Sequence, residues 1–335
     1  MDKPKVYCEL DFYTKFLKSI PDTNDLSEDK IHQLTKWITI NNFISKSNLQ
    51  IDTSVSNFHD LCKTQPWMLR LWKKSANGEC DIDFNSSDFP NLEKFEDAIA
   101  TNANFLSSIF LSTVPSGLCN EIEKNYGVKV FSIESLYENL LLSSTHIETI
   151  DKGTKSHSNW DFLSIFKHPC NTLILVDNYL LKNIDDIENN LIDILDKIIP
   201  VNLKIPFHIS IFTKSEHNNT ERLEKIKKNL SKLRPSINFK ITIHKLNGEF
   251  HDRTLLTNYL ILESGIGFDL FTKRGAKQQT RILGYFLWTK TDTNQDIPST
   301  HEMLVKSLKK IFNNSCSTPY LTNYWGDNEN RLFEA

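Results

Sequence analysis

The stretch "GEFHDRTLLTNYLILESGIGFDLF", residues 248–271, sets His251, Arg253 and Asn258 at a spacing with chemical meaning. A phosphodiesterase that works through histidine uses an imidazole to attack phosphorus and a cation two residues on to stabilise the growing negative charge. An acid five residues further on orients a histidine. His251 and Arg253 fill the first two positions, and an uncharged Asn258 fills the third. Arginine grips a phosphate through two parallel hydrogen bonds. Asparagine has no charge with which to stabilise an imidazolium, and "GIGF" (265–268) puts Ile266 and Phe268 where a hydroxyl and an amide are needed. Cleavage of this kind also takes two copies of the pattern; the chain has one, so a homodimer would have to supply the other. These residues favour phosphate or carboxylate binding over phosphodiester cleavage at His251. The plainer alternative is a polar strand start followed by glycines that serve a turn or bulge.

Two other groups of residues bear on chemistry. In "NNTERLEKIKKNLSKLRP", Lys225, Lys228 and Lys232 recur at helical spacing, which makes either an anion-contacting face or a solvated one balanced by Glu221 and Glu224. In "KVYCELDFYTKFL", an alternating strand runs into a helix and leaves Glu9 and Asp11 near the strand end. Acids at strand ends offer the hard oxygen ligands that Mg²⁺ or Mn²⁺ require. Asp11 and Glu9 are two such acids. Glu134, after the strand "VKVFSI", is either a third member or the first-turn acid of a helix. Asp60, Asp81, Asp83, Glu96 and Asp97 are further acids whose ordinary role is solvation.

The elements that must position these groups fall into two series. In the first half, "SEDKIHQLTKWITINNFISKS", "TQPWMLRLWKKSA" and "NLEKFEDAIATNA" read as helices and "DIDFNSSDF" as a polar turn. "FLSSIFLST", "GLCNEIEKNYG" and "VKVFSI" then make a strand, helix, strand unit that predicts a parallel sheet. In the second half, "NTLILVDNYLL", "PFHISIFTK", "FKITIHKL" and "DRTLLTNYLILES" read as strands interleaved with the helices "DIENNLIDILDKII" and the basic stretch above. "THEMLVKSLKKIFNN" adds a late helix before an irregular tail. The polar stretch around residues 147–161 separates the halves. The expected fold class is therefore α/β in two domains, 1–155 and 156–335, the first a Rossmann-like parallel sheet.

Composition bounds the partners. The 335 residues include 39% hydrophobic and 24% charged residues with a formal charge of −3, so any contact with nucleic acid or anionic lipid must come from a local patch. Six scattered cysteines lack metal-ligand spacing and read as reduced thiols. No apolar run approaches a membrane span and no leader-like segment opens the chain, which predicts a cytoplasmic protein. Signatures for nucleotide triphosphatases, dinucleotide redox enzymes, zinc proteases and serine hydrolases are missing.

The 248–271 stretch resembles the phospholipase D-like superfamily, in particular its degenerate branch at the C-terminus of MIT-domain proteins. The matching positions are His251, Asp252, Arg253, Gly265, Gly267, Asp269 and Phe271. The first half loosely resembles PIN-like nucleases through its element order and the acidic end of its first strand. The first resemblance implies a retained phosphate pocket used by related proteins on membranes or in bacterial conflict systems. The second implies a divalent-metal nuclease with Asp11 as metal ligand. With an Asn-, Lys- and Ile-rich composition, these resemblances imply a component of a bacterial anti-phage system that binds nucleic acid or another phosphate-bearing partner. Proteins encoded in the same gene cluster are implied as further partners. A non-catalytic adaptor for proteins or anionic membrane is the alternative, and an active phosphodiesterase at His251 the third reading.

Overall fold

The computed structural model describes residues 5–22, 27–78, 80–84, 89–136, 146–152, 158–184, 187–217, 219–246, 253–289, 296–317 and 323–334. They form a mixed α/β protein with one parallel sheet, one mixed sheet and one small antiparallel pair of strands. Two compact units divide the chain, and neither is continuous in sequence. The first takes Met1–Glu123, Val128–Ser144 and Leu287–Glu302; the second takes Lys124–Gly127, Thr145–Phe286 and Met303–Ala335.

In the first unit the order is β1 (Lys5–Cys8), α1 (Leu10–Lys18), α2 (Glu28–Lys46), β2 (Asn48–Ile51), α3 (Val55–Cys62), α4 (Pro66–Ala76) and β3 (Asp81–Phe84). It continues with α5 (Phe95–Thr101), β4 (Ile109–Ser112), α6 (Ser116–Tyr126) and β5 (Lys129–Ser132). The five strands are all parallel in the order β3-β2-β1-β4-β5. β4 and β5 are buried at every position, as strands covered on both faces must be. Local chemistry sets the helix starts. Ser54 accepts from the Asn57 N–H at 3.2 Å to open α3, and Pro66 occupies the first turn of α4, where its missing N–H costs nothing. On α2, Trp37, Ile40, Phe43 and Ile44 form the buried stripe. Trp288, far along the chain, packs edge-on against Phe131 with ring centroids 5.3 Å apart.

Two strands depart from the sequence expectation. β3 occupies the beginning of the expected polar turn: it is an edge strand, so its acids Asp81 and Asp83 face solvent while Ile82 and Phe84 are half-buried. β2, "NLQI", follows α2 after a single residue, too short and too polar to stand out from the end of the helix.

The second unit contains β6 (His146–Ile150), β7 (Thr172–Val176), a π-helical turn (Glu188–Ile192) leading into α7 (Asp193–Ile198), β8 (Phe207–Lys214), α8 (Thr220–Leu233) and β9 (Phe239–Leu246). After these come β10 (Arg253–Thr257), β11 (Leu260–Ser264), the two-residue strands β12 (Phe271–Thr272) and β13 (Gly275–Ala276), and β14 (Thr280–Phe286). The helix α9 (Ile297–Ser317), β15 (Tyr324–Gly326) and α10 (Arg331–Glu334) complete it, with α9 counted in this unit from Met303 onward. The main sheet runs β15-β9-β8-β7-β10-β11-β14-β6. β7, β8 and β9 are mutually parallel, and the other pairings are antiparallel. The last strand of the expected βαβαββ series, "DRTLLTNYLILES", is a hairpin of two, β10 and β11, because Asn258 and Tyr259 turn the chain, and the sheet is extended further by β14 and β6 on one side and β15 on the other. β6 lies ahead of residue 155 yet pairs with β14, so the polar stretch at 147–161 begins inside this sheet.

The C-terminal tail, expected to be irregular, is part of this core. The buried Asn330 donates to the Leu173 carbonyl and to Ser210, and accepts from Thr172. Arg331, also buried, donates to carbonyl oxygens of Asn171 and Pro206 at 3.0 and 3.3 Å and contacts the His208 ring at 3.3 Å. Burial lowers the Arg331 pKa to about 10, with Glu334 and Glu329 opposing it.

Candidate functional site

The parallel sheet of the first unit reverses its strand order at β1, with β2 on one side and β4 on the other, and the crevice outside the carboxyl ends of such strands is where open α/β sheets bind ligands. Glu9, Asp52 and Thr113 follow β1, β2 and β4 at this end. The strand β1 stops at Cys8 and α1 starts at Leu10, so Glu9 caps the helix and Asp11 lies in its first turn rather than on a strand end. Both Glu9 oxygens are engaged: one accepts from the Ser112 hydroxyl, and the other from the Thr113 N–H and hydroxyl, each at 2.7 Å. Asp52 accepts from the Leu10 N–H at 2.6 Å. Burial raises the pKa of Asp52, the Leu10 hydrogen bond opposes this, and the charges of Glu9 and Asp11 add to the rise.

The expected acids therefore separate. Asp11 is exposed and ion-paired one turn along to Lys15 at 2.7 Å. Glu134 is exposed and accepts from the Ser116 N–H at 3.2 Å, at the start of α6. Asp60 pairs with Lys63 in solvent. Asp52 is the acid that sequence reasoning passed over; its signal was a carboxylate directly after an apolar residue in "NLQID", hidden because β2 was not recognised. A divalent ion of the Mg²⁺ or Mn²⁺ type needs several converging oxygen ligands. Among the described residues no three His, Cys, Asp or Glu side chains converge in that way, and the Glu9 oxygens already serve the Ser112–Thr113 corner. These residues do not fit a metal ion as arranged. Their evident work is to fasten the end of β1 to the end of β4. Glu9→Ala is accordingly expected to lower stability by about 2–3 kcal/mol, because hydrogen bonds to a charged group are lost and buried donors are left unpaired. Urea unfolding checks this, with Glu9→Gln, which keeps one acceptor oxygen, losing less.

In the second unit, β7 and β10 lie side by side and antiparallel, with Thr254 opposite Val176. This register brings Arg253, the first residue of β10, beside Asp177, the residue after β7. Asp177 is 1% exposed. Its carboxylate accepts from the N–H groups of Tyr179 at 2.6 Å, Leu180 at 3.0 Å and Phe268 at 2.5 Å. Burial raises its pKa; those three bonds and the nearby Arg253 charge oppose the rise. Gly267 has φ +114°, and a Cβ there would stand 2.6 Å from the Asp177 Oδ2. That position is closed to side chains by both conformation and space. Gly265, by contrast, has only the Thr280 hydroxyl nearby, at 3.5 Å. The rest of "GIGFDLF" is packing. Phe268 and Phe271 bury their rings against Trp160, at 6.0 and 5.2 Å, and Asp269 pairs with Lys277 at 2.7 Å.

Arg253 itself is half-buried. One terminal nitrogen approaches the Gly265 carbonyl at 3.5 Å, and the Nε is buried with no partner among the described residues. Three backbone donors hold the Asp177 oxygens, and among the described residues the Gly265 carbonyl is the one hydrogen-bond acceptor that the Arg253 guanidinium reaches. Two of the other phosphate candidates, Asn258 and Lys228, do not join it. Asn258 sits at the opposite end of β10, about 17 Å away at ~3.3 Å per residue. It is buried in the β10–β11 turn, accepting from the Asn171 and Thr172 N–H groups at 3.0 and 3.3 Å. Lys228 is on the exposed face of α8, a helix that packs on β9 through Leu223, Ile226 and Leu230. Its neighbours Lys225 and Lys227 approach Glu188 and Asp327 at 3.7 and 4.0 Å. His251 and Asp252 lie outside the described residues.

The fold and this site define a two-unit α/β protein with a cation at a strand end of its mixed sheet. No protein-family model matches the chain, and no curated protein matches its sequence. No helix among the described residues is long and apolar enough to cross a membrane.

Proposed function

We propose that this chain binds a phosphate-bearing partner through Arg253, with nucleic acid as the partner class, and that it acts within a bacterial anti-phage system as a binding component rather than as a phosphodiesterase. The supporting observation is the guanidinium at the start of β10, whose one hydrogen-bond partner among the described residues is the Gly265 carbonyl, next to a carboxylate held by three backbone N–H groups. A planar fork with free donors matches phosphate oxygens in a way that an ammonium does not. The buried Asp177 charge holds Arg253 in place electrostatically, and the Gly267 turn keeps bulk away from both. The resemblance of "HDR" and "GxGFDxF" to the degenerate phospholipase D-like branch points the same way, and the asparagine at 258, held in a turn far along the strand, disfavours turnover.

The test is the affinity of the full chain for a single-stranded RNA oligonucleotide as a function of salt. Arg253→Ala is expected to weaken binding about tenfold at low salt, one lost phosphate contact being worth ~1.4 kcal/mol, and to make the log–log salt slope shallower by about 0.7. Equal affinity and equal slope in the two proteins would remove this reading. Tighter binding of the wild-type chain to phosphoinositide vesicles than to RNA would assign the site to membrane instead.

A further inference from the structure

A second feature with ligand chemistry lies in the other unit. Between α2 and α4 is a cavity of about 240 Å³. Its α2 wall presents Trp37, Asn41 and Ser45, one turn apart, and its α4 wall presents Trp67, Arg70 and Lys74, also on one helical face. The remaining lining residues are uncharged, so the cavity carries two cations and no acid.

The aromatic floor is fixed. Trp37 is 2% exposed and its indole N–H donates to the Phe16 carbonyl at 3.0 Å, so its ring is locked and offers only carbon surface. Trp67 meets it at 5.1 Å with an interplanar angle of 67°, is half-buried and lines the cavity. The Arg70 guanidinium lies over Trp67 at 5.5 Å from the ring centre, and the Lys74 ammonium donates to the Ser45 hydroxyl at 3.4 Å. Among the described residues neither cation is paired with a carboxylate. Two like charges at this helical spacing repel one another, and an anion between them removes the repulsion. The same charges exclude a cationic ligand such as a methylated amine, which aromatic pockets otherwise favour. The ligand should therefore combine a flat π-system for Trp67 with an anionic group about one helical turn away. The volume lies just below the ~300–1,000 Å³ usual for small-molecule pockets, which suits one nucleotide rather than a dinucleotide. Stacking of a base on an aromatic face beside a cationic groove is the general mode by which proteins hold single nucleotide units.

We infer that the first unit binds a mononucleotide in the α2–α4 cavity, its base on Trp67 and its phosphate between Arg70 and Lys74. This site is separate from Arg253 and stands whether or not that residue binds phosphate.

Calorimetric titration of the full chain with adenosine 5′-monophosphate, adenosine and inorganic phosphate tests the inference. Saturable one-to-one binding of the monophosphate is expected, at least tenfold tighter than either adenosine or phosphate alone. The double variant Arg70→Gln/Lys74→Gln should weaken monophosphate binding at least tenfold and leave adenosine unchanged, while Trp67→Leu should weaken both. Arg70 is exposed and Lys74 half-buried on a helix that glutamine tolerates, so the double variant should keep the wild-type melting temperature. Arg253→Ala should bind the monophosphate as the wild type does. Three results would each overturn the inference: no saturable binding, undiminished binding in the folded double variant, or loss of monophosphate binding in Arg253→Ala alone.

Discussion

Asp177→Ala is expected to destabilise the protein by about 3–5 kcal/mol, among the largest effects of any single side chain here. The substitution leaves the N–H groups of Tyr179, Leu180 and Phe268 without their acceptor in a site that is 1% exposed. A buried donor without a partner costs about 1–3 kcal/mol, and the carboxylate's own burial cost, visible in its raised pKa, offsets part of the sum. The Phe268 bond is the one that matters for architecture, because it clamps the loop after β11 to the end of β7 and seats Phe268 and Phe271 on Trp160. Asp177→Asn keeps one oxygen acceptor and should lose roughly half as much. Urea unfolding of the two variants gives the comparison; a loss below about 1 kcal/mol for alanine would mean that the loop finds other partners.

Acidification gives the second large effect. His208 and His244 are buried, and desolvation pushes each pKa down to about 3; the Arg331 and Lys240 charges add to this at His208, where Asp327 opposes. His244 is fully buried, stacked on Phe212 at 4.6 Å with both ring nitrogens unpaired. In the unfolded chain each imidazole takes up a proton near pH 6.5, whereas the native ring stays neutral until about pH 3. The unfolded state thus binds more protons throughout that window. Stability is full above about pH 6.5 and falls as the pH drops, by up to ~1.4 kcal/mol per unit for each ring. Asp52 and Asp177 act in the opposite sense: with folded pKa values raised, their contribution is present at low pH and lost as the pH rises through those values. With the histidines dominant, a drop of about 2–4 kcal/mol is expected between pH 6.5 and 5. Urea midpoints across that range provide the measurement, and His244→Phe should flatten the slope by about one proton. An unchanged slope in His244→Phe would show that this ring is not held neutral in the native protein.

How far the sequence revealed all this depended on length and on where elements end. β7, β8, β9 and α8 are long or strongly patterned, and each appears where periodicity predicts it. β2 and β3 are four residues long and carry polar side chains because one lies at the sheet edge and the other beside it, so neither has an apolar signature to detect. β6 is obscured because its positions alternate between half-buried and exposed, with only Ile150 buried, inside a polar stretch, and its partner β14 is contributed by residues some 130 positions later. The tail was misjudged for a related reason. Asn330 and Arg331 look like solvent-exposed residues in sequence, and only the long-range acceptors on β7, β8 and the residue before β7 make their burial affordable.

The site residues show the same division. β1 ends at Cys8 and α1 begins at Leu10, so Asp11 lies in the first turn of the helix instead of near a strand end, and a lysine neutralises it there. The glycine pair was visible, yet its purpose was not: Gly267 yields space to Asp177, a residue 90 positions earlier whose only sequence signal was an acid closing the apolar run "TLILV". Arg253 was legible from motif spacing, whereas the separation of Asn258 from it follows from the strand between them being extended.

The central claim is that the Arg253 guanidinium is the phosphate contact. Side-chain ¹⁵N NMR of the arginine Nε–H groups, with the Arg253 signal assigned by its disappearance in Arg253→Lys, tests this most directly during titration with a single-stranded RNA oligonucleotide. A saturable shift of that signal is expected, because its Nε, buried with no partner among the described residues, senses any change in the charge held by the fork, and the lysine variant should bind RNA more weakly. RNA binding that leaves the Arg253 signal in place, or no RNA binding at all, would contradict it.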